Sequence, residues 1–217
     1  LDGVTVIRKR PVLLTVIAVS LVFGLFSEGF DRLWTAHLLQ SFSLPSIGPF
    51  KPVVWFGILA VATSLLSIAG NELVRRRVDL TQHRGVTRSL FVSDGLLIGG
   101  LAVFALSGNV YVAIAAFLLA SASREVHYPL ATAWANQSID SRVRATVLSI
   151  NSQMNAFGQV AGGPVIGLIG RAVSLRAALL AASLVLTPVL FLYARTLGKH
   201  QPKDVGEAAP AEAVAGE

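Results

Sequence analysis

Cysteine is absent from this 217-residue chain, and charged residues make up only 14% of it. The first absence excludes a disulfide framework, Cys-based zinc and iron–sulfur sites, and thiol catalysis. The second leaves too little charge to cover a soluble domain, because 53% of the residues are hydrophobic and the mean hydropathy is +0.66. Histidine is scarce too: His37, His83, His127 and His200 lie far apart in sequence, so neither a metal site nor a cofactor is expected. The net charge of +6 and the pI near 10.3 come from short basic runs between apolar segments, without interleaved aromatics. That pattern argues against a nucleic-acid partner. No small-residue cleavage site follows the opening LDGVTVIRKRP, so no signal peptide is expected, and the chain reads as starting inside a longer protein.

What is present is a series of long apolar runs. Crossing about 30 Å of hydrocarbon takes roughly 20 mainly apolar residues. Six segments qualify, near 12–39, 53–73, 89–107, 109–135, 145–169 and 175–194. They predict an all-α membrane protein with one six-helix transmembrane domain over 1–200, followed by an Ala-, Pro- and Glu-rich tail, 201–217, expected to be disordered. Of the 18 Lys and Arg residues, 13 fall in the two tails and in the second and fourth connections, three (Lys51, Arg171, Arg176) in the other connections, and two (Arg32, Arg124) within spans. The positive-inside rule therefore places both termini in the cytoplasm. Three spans per half also make the halves run in opposite directions, as in an inverted repeat. Span 1 reaches Glu28 16 residues after Val12, and span 4 reaches Glu125 16 residues after Asn109.

The polar residues inside the spans are the candidate site. In span 1, Gly24, Glu28, Asp31, Arg32 and Thr35 share one helical face, and Glu28 and Arg32 stand at the i,i+4 spacing of a salt bridge. Two placements satisfy them: a water-filled cavity, or the outer headgroups with Trp34 as interfacial anchor. Arg124 and Glu125 in span 4 either line a cavity or lock that span to a neighbour, with Pro129 expected to kink the helix nearby. In span 5, Asn151, Asn155 and Gln159 are read as cavity-lining amides. The glycines beside them, Gly158 and Gly162 with Gly163 and Gly167, have the small-xxx-small spacing of close helix crossings. Asp94 is read as a charge at the start of span 3, favoured there by the helix dipole.

Three stretches carry a resemblance: FSEGFDRLW in span 1, GNELVRRRVDLTQHRG after span 2, and RATVLSINSQMNAFGQVAGGPVIGLIG in span 5. Together they resemble the C-terminal six-helix half of a major facilitator superfamily transporter, in its bacterial drug-efflux-like branch, over nearly all of residues 8–200. Gly158, Gly163, Pro164 and Gly167 look like the family's antiporter pattern with one extra residue in the first gap. Gly70, Arg75 and Arg76 answer to its basic loop, although Val74 stands where the family has an acidic residue. The resemblance implies two inverted three-helix repeats and a homologous N-terminal half as partner. It also implies a bacterial inner-membrane location and proton-driven export of small amphipathic molecules. One carboxylate among Glu28, Asp31 and Glu125 is then expected to carry the proton, with Glu28 and Glu125 favoured because each has an arginine close by in sequence. Two rivals compete with it. An intramembrane protease would need an activated serine, and Ser27 has no histidine at helical spacing, so no enzyme is expected. A self-contained six-helix channel or scaffold acting as a homo-oligomer remains.

Overall fold

A computed structural model describes residues 11–46, 53–137, 139 and 144–198. The expected tail over 201–217 and the basic residues before Pro11 lie outside the described residues. Within them the chain forms six helices and no strand: α1 (Pro11–Ser41), α2 (Val54–Arg77), α3 (His83–Leu106), α4 (Val110–Gln137), α5 (Arg144–Ala172) and α6 (Leu175–Gly198).

Local chemistry sets the helix boundaries. Pro45 follows α1 closely, and the residue before a proline is pushed out of the helical region. Arg75, Arg76 and Arg77 fill the last turn of α2, where positive charge complements the helix dipole. The chain then turns within five residues, Val78–Gln82, because the Asp79 carboxylate gathers the turn onto itself. It accepts hydrogen bonds from the Thr81 hydroxyl (2.6 Å), the Thr81 amide (2.9 Å) and the Gln82 side chain (2.9 Å). The Thr81 hydroxyl chiefly, then the amide, hold this carboxyl below its ordinary range. α3 consequently starts at His83, six residues before the apolar run from which it was predicted. Asn109 caps α4, its side-chain oxygen accepting from the amides of Tyr111 (2.8 Å) and Val112 (3.3 Å).

Five of the six helices are long and apolar enough to cross a membrane: α1, α2, α3, α4 and α6. The chain therefore has the makings of a multi-pass membrane protein. α5 departs from the expected fifth span. It is a 29-residue helix, but Asn151, Ser152, Gln153, Asn155 and Gln159 leave it without a stretch apolar enough to count as a span.

The core runs along α1, α3, α4 and α6. Leu90, Leu97, Leu101 and Phe104 of α3 are fully buried, as are Ala178, Leu179, Ala182 and Leu186 of α6. α2 buries only Leu59 and Ser67 and contacts mainly α4, whereas α5 lies chiefly against α1. Both present wide apolar faces outward, including Val61, Leu65 and Ile68 on α2 and Phe157, Val160 and Leu168 on α5. The pairing has an internal regularity. Exchanging α1 with α4, α2 with α5 and α3 with α6 turns the α1–α5 contact into α4–α2, turns α3–α4 into α6–α1, and returns α3–α6 to itself. Only α5–α6 breaks the pattern, since α2 and α3 hardly touch.

Candidate functional site

The α1–α5 crossing is made by glycine. A Cβ on Gly24 would overlap the carbonyl of Asn155, one on Gly158 the carbonyl of Leu21, and one on Gly162 the carbonyl of Leu25. The two backbones thus touch directly, the geometry that small residues permit in membrane helices. A Cβ on Gly163 would come within 2.8 Å of the Glu28 Cγ, so the glycine leaves room for that side chain. Gly167 and Pro164 depart from the expected packing stripe: Pro164 is exposed, and a Cβ on Gly167 would meet nothing within 4 Å. The reason is angular, because Gly167 sits about 140° around the helix from Gly162.

The amides of α5 are drawn into the same crossing. Ser20 donates to the Asn151 side chain (2.6 Å), Asn155 donates to the Ser20 carbonyl (3.1 Å), and Gln159 donates to Asn155 (2.7 Å). These three half-buried side chains form a polar ladder between α1 and α5. They were expected to line a cavity; what they do here is hold two helices together.

Glu28, Asp31 and Arg32 sit deep within α1. Arg32 still has nine helical residues after it, about 14 Å at 1.5 Å per residue. Trp34 is packed, with its ring stacked on Phe117 at 4.5 Å. Glu28 pairs with Arg32 as the spacing predicts. Arg124, however, does not pair with its neighbour Glu125. It crosses to α1 and grips both oxygens of Asp31, the second at 2.8 Å, while its Nε donates to the Tyr128 hydroxyl at 3.3 Å. Its guanidinium lies over the rings of Phe26 (5.8 Å) and Phe30 (5.7 Å). Glu125 has no ion-pair partner among the described residues. It lines, with Asp31, Arg124, Thr35 and Thr63, a cavity of about 450 Å³ between α1, α2 and α4.

A second polar centre lies behind this seam, and sequence reasoning missed it. Asp94 is not at the start of its helix but eleven residues inside α3, with 0% of its surface exposed. His127 of α4, equally enclosed at 3% exposure, donates from Nδ1 to Asp94 Oδ1 at 2.7 Å. Phe23 of α1 stacks flat on the imidazole at 3.9 Å. Tyr193 of α6 faces the same carboxylate without a well-formed hydrogen bond. Its hydroxyl and Asp94 Oδ2 are both buried polar atoms with no partner among the described residues. Beside the pair opens a cavity of about 750 Å³ between α2, α3 and α4, lined by Arg77, Asp79, Arg88, Ser93 and Ser123.

The other described histidines are satisfied structurally. His37 donates to the Phe104 carbonyl (3.2 Å) and accepts from Ser41 (3.1 Å), while His83 accepts from the Trp134 indole (3.2 Å). Among the described residues no cluster of three His, Cys, Asp or Glu side chains is placed to hold a metal ion.

No family model matches the chain, and no curated protein matches it by sequence.

Proposed function

We propose that the chain is the six-helix half of a secondary transporter, packing against a homologous N-terminal half and rocking around a site near the bilayer midplane. The observation that carries it is the placement of charge. Glu28, Asp31, Arg32, Arg124 and Glu125 lie deep within helices apolar enough to cross a membrane rather than at helix ends, and Asp31, Arg124 and Glu125 line a cavity. Such residues cost at least about 2.5–3.5 kcal/mol each when they face lipid, so they belong to a solvated pathway or to pairs. The exchange symmetry of the helix contacts supports two inverted three-helix repeats. The outward apolar faces of α2 and α5 then meet lipid or the other half.

On this proposal the substrate is a small amphipathic molecule, held by the aromatic wall of Phe30, Trp34 and Phe117 and by the free carboxylate of Glu125. Transport is export coupled to protons across a bacterial inner membrane, with both termini cytoplasmic. Asn151, Asn155 and Gln159 hold the α1–α5 rim of the pathway. The rival is a homo-oligomeric channel or scaffold. The coding sequence upstream of Leu1 separates the two: six further in-frame hydrophobic spans support the half-transporter, and a start codon close to Leu1 overturns it.

A further inference from the structure

We infer that Asp94 and His127 together form a proton-binding site, and that this buried pair, rather than a carboxylate of the α1 stripe, takes up and releases the coupled proton. As the seat of coupling the pair presupposes the transporter proposed above; as a proton site it stands on its own geometry.

Every element around the pair contributes apolar or neutral groups. α1 supplies the face of Phe23, α4 the edge of Tyr128 (5.9 Å from the imidazole) and α6 the phenol of Tyr193. α2 and α5 give it no hydrogen bond or ion pair among the described residues, and the charges of α1 are engaged elsewhere, Glu28 with Arg32 and Asp31 with Arg124. No arginine or lysine among the described residues bonds to Asp94. With one proton shared between Oδ1 and Nδ1 the pair is neutral overall. Without that proton it carries a full negative charge in a dry bundle, a state that is costly until water or a cation reaches it. A structural salt bridge to arginine would hold one fixed charge state. A carboxylate–imidazole pair has two, and imidazole is the side chain suited to exchange between them.

Neighbours of the pair border two cavities. Ser93, next to Asp94, and Ser123 and Val126 of α4 line the 750 Å³ cavity, where the Ser93 hydroxyl closes onto the Ser123 carbonyl at 2.8 Å. Arg124, one turn from His127, belongs to the other cavity with Glu125. Asp94 and His127 line neither cavity themselves, but Ser93 and Ser123 border the larger and Arg124 the smaller, so each cavity comes within about one helical turn of the pair. The unpartnered Asp94 Oδ2 and Tyr193 hydroxyl are the atoms a rearranged state would engage. Because Asp94, His127 and Tyr193 come from three helices, losing the proton loosens the joint between α3, α4 and α6. Occupancy by one proton and the position of those helices are then linked.

The test has two arms. In the first, the chain labelled with ¹⁵N-histidine is embedded in phospholipid bilayers and followed by NMR from pH 5 to 9, with the His127 signals assigned from their loss in His127→Gln. The expected result is a titration at His127 whose midpoint moves by at least one pH unit in Asp94→Asn and stays put in His83→Gln. His127 signals that hold constant over that range, or a midpoint unmoved in Asp94→Asn, overturn the proton site. In the second, the full-length protein is reconstituted in vesicles with ethidium as probe. Asp94→Asn and His127→Gln should each lose at least tenfold of the pH-gradient-driven flux while ethidium exchange at equal pH stays within twofold. Driven flux that survives in both variants overturns the coupling role. If the unaltered protein moves no ethidium under any gradient, the transporter proposal fails for that class of substrate, and the NMR arm alone decides the proton site.

Discussion

Arg124 on α4 and Asp31 on α1 form a two-pronged ion pair that spans 93 residues of sequence and fastens the fourth helix to the first. Its two ends differ in exposure, 15% for the Arg124 side chain and 49% for Asp31. Removing each end should therefore cost differently. Asp31→Ala leaves the largely buried Arg124 guanidinium without its counter-charge and is expected to lower stability by about 3 kcal/mol or more. Arg124→Ala also strips the guanidinium from Phe26 and Phe30, and should cost about 2–3 kcal/mol. Unfolding in mixed micelles of both single variants and the double variant measures the coupling, expected at about 0.5–2 kcal/mol. A coupling of zero would show that the pair contributes no net interaction.

The α1–α5 crossing gives a second prediction. Gly162→Leu forces a side chain into the Leu25 backbone, so it should destabilise the bundle by about 1–3 kcal/mol or more, or abolish assembly. Leu148→Ala removes bulk from a partly buried position of the same helix and should cost less. Thermal stability of the two variants in detergent compares them. Equal tolerance would place the glycine face away from any close contact.

Orientation gives a third prediction. Single cysteines at Ser46 and Gln82, both exposed and in a chain without native cysteine, should react differently with an impermeant reagent added to sealed cells. Ser46→Cys labels and Gln82→Cys does not, if the arginine-rich turn after α2 is cytoplasmic. Labelling at Gln82→Cys in intact cells reverses the orientation.

The helices could be read from the sequence because long apolar runs leave the backbone no partner but itself. Their partnerships could not. Adjacent residues point about 100° apart on a helix, so Arg124 and Glu125, side by side in sequence, face different neighbours, and the carboxylate that Arg124 finds is Asp31. Glu28 and Arg32 were legible because i,i+4 contacts are local. Asp94 was misplaced because the apolar run begins near Ser89, whereas the helix has already started at His83, which moves Asp94 from the first turn to the interior. Its partner His127 lies 33 residues away on another helix, and nothing in a periodic pattern links the two. The glycines of α5 were recognisable by spacing, but which of them touch α1 depends on the crossing, and Gly167 falls outside it.

The proposed role as half of a proton-driven exporter of small amphipathic molecules is tested most directly by ethidium flux in vesicles carrying the full-length protein, with and without a protonophore. The expected result is accumulation against the gradient that collapses when the protonophore is added. Correctly inserted protein that moves no ethidium above protein-free vesicles, or moves it equally with the proton gradient abolished, would contradict that role.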